Sequence, residues 1–299
     1  MCENRDMNRK LEFDEVSIGF PQKHGQWLKV VDSVSLSVGV GERVGLVGES
    51  GSGKSLLALQ ACGITPPPGR LIAGTVQCRD RPGLVMQEAS SAFNPVLTIG
   101  FQLREIIKSQ TRHDPTKRAR QLLLLAGLED VDSIAAAYAH QLSGGQAQRA
   151  FIALALAGDP TILIADEPTT GLDLITQAGI LDLFIELTSE LMGLLLISHD
   201  LNVTATVTER LYVMYGGMIV EEGPTSSLLT HPMHPFTHLL ANPEESTLQV
   251  SAKPNSPGCR FAHRCSIKHE SCNQSMPDLV AISTDRKLRC PIISETALN

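Results

Sequence analysis

The run Arg43-Val44-Gly45-Leu46-Val47-Gly48 passes directly into Glu49-Ser50-Gly51-Ser52-Gly53-Lys54-Ser55, and a helical pattern starts at Lys54. No other stretch restricts the fold as strongly. A strand that is apolar on both faces belongs inside a parallel sheet covered by helices, so the sequence predicts an α/β core. The turn that follows has the spacing G-x-x-x-x-G-K-[ST], which lets backbone amides wrap a chain of phosphates at the start of a helix. Lys54 brings a point charge to the outer phosphates and Ser55 offers a hydroxyl to Mg²⁺. A nucleoside triphosphate is therefore the expected ligand, cradled by Gly48, Glu49, Ser50, Gly51, Ser52, Gly53, Lys54 and Ser55.

Further buried strands are expected at 83–87, 161–166, 193–198 and 209–215, separated by helical patterns, as in α/β proteins. Before the loop, Leu11 to Phe20 and Val30 to Val38 read as antiparallel strands joined by the turn PQKHGQ. Residues 98–157 read as a helical insertion, with Asp114 as a cap and Pro115 in the first turn before KRARQLLLLAGL. Past Asn242-Pro243 the periodicity fades into a short cysteine-bearing tail, which places a boundary near 240. The expected organisation is a domain over 1–240 and an extension over 241–299.

The 299 residues carry 25 Lys+Arg against 32 Asp+Glu, a formal charge of −7, which argues against a general nucleic-acid binder. No apolar run approaches the ~18 residues of a spanning helix. The polar start MCENRDMNRK has no secretory pattern, so a reducing interior is expected for the cysteines.

Thr161 to Asp166, followed by Glu167, is a buried strand ending in two carboxylates. Asp166 suits the Mg²⁺ shell, and Glu167 suits a base that polarises the attacking water.

Leu142-Ser143-Gly144-Gly145-Gln146, opening the helix AQRAFIALALA, is similar to the signature of the ATP-binding cassette (ABC) ATPases. The ordered set around it strengthens the resemblance: Gln87 in VMQEASSAFNP, ILIADEP, TTGLD with Asp173, and LLLISHD with His199. The resemblance covers about residues 10–240. It implies a P-loop NTPase core of ABC ATPase type with an antiparallel β subdomain, the helical insertion and the cysteine-rich extension. By itself the signature is a second phosphate-binding device at a helix start. The family implies head-to-tail pairing, so that Ser143, Gly144, Gly145 and Gln146 close on ATP held by another cassette. It also implies that Gln87 approaches Mg²⁺ and the water, that His199 contacts the γ-phosphate and that Asp173 reaches across the pair. Phe20 is the candidate for stacking on adenine, with Trp27 as its competitor. Ala147, Gly171, Leu174 and Ile175 depart from the usual pattern without removing a catalytic group.

His234-Pro235-Phe236-Thr237 and the tail Gly258-Cys259-Arg260-Phe261, Arg264-Cys265, Cys272 and Cys290 resemble the carboxy-terminal extension of the peptide and nickel importer branch. The spacing C-x5-C-x6-C-x17-C is not that of a zinc ribbon. Four thiolates suit a [4Fe–4S] cluster, which some members of the branch carry, with zinc and free packed thiols as alternatives. The branch implies an ATPase subunit at the cytoplasmic face of the inner membrane. Its implied partners are two transmembrane permeases, a second cassette, paralogous or identical, and an extracytoplasmic binding protein. Dipeptides or oligopeptides are the expected cargo, and nickel, free or chelated, is the alternative. A soluble non-transport ABC ATPase and a nucleotide-binding iron–sulfur adaptor are the competing classes.

Overall fold

The computed structural model describes residues 9–188, 192–242 and 257–292. In chain order the elements are β1 (Arg9–Pro21), β2 (Trp27–Gly39), β3 (Arg43–Gly48), α1 (Lys54–Ala61), β4 (Arg70–Cys78), β5 (Gly83–Val85) and α2 (Ala89–Ala92). Then come α3 (Ile99–Gln110), α4 (Pro115–Leu125), α5 (Val131–Ala136), α6 (Gly144–Leu156), β6 (Ile162–Asp166), α7 (Leu174–Leu187) and β7 (Gly193–Ser198). The chain continues with α8 (Leu201–Ala205), β8 (Arg210–Tyr215), β9 (Met218–Pro224), α9 (Thr225–Thr230), α10 (Pro235–Ala241), β10 (Val280–Ala281) and β11 (Lys287–Leu288).

These elements form two compact units. The first comprises described residues 9–11, 38–42, 78–188 and 192–196; the second comprises 12–37, 43–77, 197–242 and 257–292.

In the first unit β5 pairs in parallel with β6, Gly83 opposite Leu163 and Val85 opposite Ala165, and β7 neighbours β6. Every residue of β6 and β7 is buried, which explains why their sequences are apolar on both faces. The helices α3 to α6 follow β5 in succession, and their starts are set by side chains. Thr98, Asp114, Asp130 and Ser143 each accept a backbone N–H from the first turn of the helix they precede. The expected Asp114 cap is present, with its carboxylate 2.7 Å from the Lys117 nitrogen and Pro115 in the first turn. Leu103, Ile107, Leu122, Leu123 and Ile152 supply fully buried apolar faces to this helical region.

In the second unit β3 pairs in parallel with β8, in the register Gly45 with Leu211 and Gly48 with Met214. From β8 the order continues through antiparallel β9 and β11 to β10, so the tail adds two short strands. A separate three-stranded sheet has the order β2-β1-β4. The turn between β1 and β2 is closed by the Gln22 amide donating to the Gln26 carbonyl at 2.7 Å, and a connection this short fits an antiparallel hairpin. The core of this unit centres on Val47, Leu211, Val213, Tyr215, Leu228, Phe236 and Phe261, which draws β3, β8, α9, α10 and the tail into one apolar cluster.

Candidate functional site

The phosphate loop lies between β3 and α1, and its shape requires glycine at two places. Gly51 and Gly53 have φ of +78° and +105°, a region that side-chain-bearing residues rarely enter. Gly48 is required for space: a Cβ there would lie 2.1 Å from the Met214 carbonyl oxygen. Lys54 is buried at the start of α1, and its Nζ donates to the carbonyls of Gly48 at 2.7 Å and Glu49 at 2.9 Å. The Glu49 carbonyl also accepts the Ser52 amide at 3.2 Å. The Ser52 hydroxyl is buried without a hydrogen-bond partner in the protein, whereas Ser50, Gly51 and Ser55 face solvent. A polar cradle with an inward hydroxyl, a buried ammonium and an exposed serine at the first helical turn suits a triphosphate and a hard, oxygen-seeking cation.

His199 follows β7 and belongs, like the phosphate loop, to the second unit. It lines a pocket of about 300 Å³ with Glu49, Asp200, Asn202, Phe236, Leu239, Leu240 and Arg264. The phosphate loop and His199 therefore share one concavity. Asp200 caps α8, its carboxylate 3.0 Å from the Val203 nitrogen, which holds the residue beside His199 in place.

The aromatic candidates meet at Gly69. The Phe20 ring lies over it, so that a Cβ there would be 2.8 Å from two ring carbons. Trp27 is 41% exposed and lines a pocket of about 430 Å³ with Pro21, Pro67, Pro68, Gly69 and Arg70.

In the first unit, Asp166 ends β6 and is buried, and Glu167 follows with φ of +51°. A left-handed glutamate is uncommon, and such conformations concentrate at functional sites. Its carboxylate accepts from the Thr170 hydroxyl at 3.2 Å and its carbonyl from the Thr170 amide at 3.3 Å. Gln87 lies exposed just beyond β5.

The signature residues open α6 with a reciprocal cap. The Ser143 hydroxyl accepts the Gln146 amide at 3.3 Å, and the Gln146 side chain accepts the Ser143 amide at 3.0 Å. A Cβ on Gly145 would lie 2.7 Å from the Thr176 methyl, and one on Gly144 3.5 Å from Leu172. The Thr176 hydroxyl in turn donates to Asp173 at 2.7 Å. Signature and Asp173 are thus brought together within one unit. The amide and hydroxyl of Thr176 hold the Asp173 carboxyl below the usual range. Ala147 is buried behind the signature, while Leu174 and Ile175 beside Asp173 are 83% and 87% exposed.

The four tail cysteines lie close together. The Cys259 amide donates to the Cys272 carbonyl at 2.8 Å, Cys272 and Cys290 are buried, and Cys259 and Cys265 pack on the aromatic core. Burial pushes the Cys259 and Cys265 thiols up, and the neighbouring thiols add to this. Among the described residues no three His, Cys, Asp or Glu side chains gather into a group that could hold a metal ion.

The family model described as ABC transporter matches residues 31–170, and that described as the carboxy-terminal region of oligopeptide/dipeptide transporters matches residues 220–272. The dipeptide transport ATP-binding protein DppD of Haemophilus influenzae is 39% identical over 315 residues, covering 94% of both chains. This chain belongs to the ABC transporter ATP-binding subunits of the dipeptide/oligopeptide family. The oligopeptide transport ATP-binding protein AppD of Bacillus subtilis is 34% identical over 97% of this chain and 98% of its own. A solved structure described as the dimeric post-hydrolysis state of the ATP-binding cassette MJ0796 bound to ADP and Pi covers 72% of this chain. Its TM-score is 0.63 at 28% identity, and 98% of that chain is matched.

In this ABC subunit the expected α/β core with its antiparallel sheet and helical insertion is present. The ATP and Mg²⁺ binding that comes with the family matches the character of the phosphate loop. Among the described residues no helix is long and apolar enough to cross a membrane. Sequence reasoning missed Arg264, which bonds Glu49 at 2.5 Å, and Glu221, a fully buried carboxylate. Arg264 was visible only as the neighbour of Cys265. Glu221 lies in a segment whose paired acids, Glu221 and Glu222, gave no sign that one of them is buried.

Proposed function

We propose that this chain is the ATP-hydrolysing subunit of an importer of dipeptides or oligopeptides. The observation that carries the reading is the combination in one chain of a complete cassette motif set and the oligopeptide/dipeptide transporter region at 220–272. Relatives spanning nearly the whole chain bear names of dipeptide and oligopeptide transport ATP-binding proteins. Among the competing classes, a soluble non-transport ATPase or an iron–sulfur adaptor has no such support.

The phosphate loop binds ATP by its amides, with Lys54 leaving the Gly48 and Glu49 carbonyls for the outer phosphates. Ser55, Asp166 and Gln87 would hold Mg²⁺, which would supply charge neutralisation to the phosphates. Glu167 orients and deprotonates water, and His199 stabilises the γ-phosphate. Phe20 or Trp27 stacks on adenine. Ser143, Gly144, Gly145 and Gln146 close on the nucleotide of a partner cassette, which Asp173 also reaches. The exposed Leu174 and Ile175 beside Asp173 support this pairing, because large apolar side chains in such positions gain from being covered. Loss of the γ-phosphate removes the contacts that favour the closed pair, a two-state switch driven by ligand.

The subunit sits at the cytoplasmic face of the membrane on two permeases, supplied with cargo by an external binding protein. Reconstitution of the complete transporter tests this: dipeptides or oligopeptides with their binding protein should stimulate hydrolysis. Stimulation by nickel or a nickel chelate alone would transfer the chain to the other cargo class. The iron–sulfur expectation rests on the resemblance of the tail. Iron and acid-labile sulfide analysis after anaerobic purification checks it, and stoichiometric zinc without iron would end it.

A further inference from the structure

Arg264 of the tail reaches the phosphate loop. The turn at 258–265 is fixed by the Cys259 amide on the Cys272 carbonyl (2.8 Å), the Ala262 amide on the Cys259 carbonyl (3.0 Å) and the Arg264 amide on the Phe261 carbonyl (2.9 Å). Phe261, 1% exposed, anchors it edge-on to Tyr215 with ring centroids 5.1 Å apart. Arg264 is thereby held with its guanidinium 5.9 Å from the Tyr215 ring centre and 5.7 Å from that of Phe261. Its Nη1 lies 2.5 Å from Glu49 Oε1. Four residues earlier, Arg260 pairs with Asp32 at 2.5 Å and donates to the Gly216 carbonyl, a second tie from the same turn.

Glu49 is the second residue of the phosphate loop, and its carbonyl is one of the two that hold Lys54. Its side chain places a negative charge in a loop whose task is to receive a polyanion. Unpaired, that carboxylate would repel the triphosphate and attract Lys54 away from it. We infer that Arg264 is a positioning residue for ATP binding: it neutralises Glu49 and fixes its side chain away from the phosphates, which makes the tail part of the nucleotide site's electrostatics. The inference rests on the phosphate loop binding ATP as proposed above.

The test measures Mg-ATP binding by equilibrium dialysis with the purified full-length chain, at low and moderate salt. Arg264→Ala should weaken binding about fivefold, the factor that one partly exposed charge contact supplies. Arg264→Lys, which keeps the charge, should stay within about twofold of wild type. The deciding variant is the double substitution Arg264→Ala with Glu49→Gln. Removal of the uncompensated anion should restore binding to within about twofold of wild type, which loss of a merely structural contact would not allow. Glu49→Gln alone removes the anion while Arg264 stays, and should tighten ATP binding. In the assembled transporter, Arg264→Ala should raise KM for ATP while kcat is retained, and Lys287→Ala, a tail substitution remote from the loop, should change neither. Unaltered binding by Arg264→Ala, or a double variant as weak as that single one, overturns the inference. A wild-type chain that binds no ATP instead defeats the proposed function on which it rests.

Discussion

Arg286→Ala should destabilise the second unit more than any surface substitution in the chain. Glu221, on β9, is 0% exposed and accepts the Met233 amide at 3.1 Å, the His234 amide at 2.9 Å and the Arg286 guanidinium at 2.5 Å. Arg286, whose side chain is 12% exposed, also donates to the His231 carbonyl, so it joins the tail to β9 and to the segment before α10. Removing the arginine leaves a buried carboxylate with two neutral donors and no countercharge. Breaking such a pair from one side costs about 3 kcal/mol or somewhat more, mainly the price of an uncompensated charge. For a chain of this size that corresponds to a fall in melting temperature of roughly 6 °C or more. The assay is urea unfolding followed by far-UV circular dichroism and by the fluorescence of Trp27, the single tryptophan, which lies in the same unit. Adding Glu221→Gln to Arg286→Ala removes the charge but keeps an acceptor for an amide, and should recover at least about 1.5 kcal/mol. An Arg286→Ala protein within about 0.5 kcal/mol of wild type would refute the reasoning.

Three other outcomes follow from the same geometry. His234 caps α10 by accepting the Phe236 amide at 3.1 Å, and burial, with Arg289 second, lowers its pKa from 6.5 to about 3. The unfolded chain therefore binds the extra proton first. Stability from the neutral imidazole is complete above pH 6.5 and declines as pH falls toward 3, by up to about 1.4 kcal/mol per pH unit. His234→Asn keeps a capping acceptor and should flatten that slope in denaturation series at different pH, whereas an unchanged slope would exclude His234 as its source. Gly48→Ala should cost at least about 2 kcal/mol by denaturation, since its Cβ would meet the Met214 carbonyl at 2.1 Å. Ser143→Ala should remove about 1 kcal/mol of α6 capping and depress hydrolysis in the complex while ATP affinity of the isolated chain stays unchanged. Weakened binding in the isolated chain would argue that the signature serves its own loop.

What was legible in the sequence was local. The β3, loop and α1 sequence is one continuous stretch in which the turn glycines Gly51 and Gly53 and the lysine Lys54 act on the loop itself, and Ile162–Asp166 and Gly193–Ser198 are buried along their whole lengths. The signature helix was legible because its capping box spans only four residues, Ser143 to Gln146. Harder to read was β4, Arg70–Cys78: no residue in it is fully buried, so it shows neither a clean alternation nor an apolar run. Met218–Pro224 was missed as a strand because Glu221 and Glu222 break its apolar run, although Glu221 is satisfied by groups 12, 13 and 65 residues away. The contact between Glu49 and Arg264 joins residues 215 apart, and nothing in either neighbourhood announces it. Residues 257–292 of the tail belong to the compact unit that carries the phosphate loop.

In the proposed mechanism this cassette hydrolyses ATP with Glu167 acting on the water. The most direct measurement is steady-state Mg-ATP turnover by the assembled transporter, with wild-type chain and with Glu167→Gln, alongside ATP binding by each. The predicted result is a fall in turnover of about a hundredfold or more with binding retained. Equal turnover by the two proteins would contradict the account.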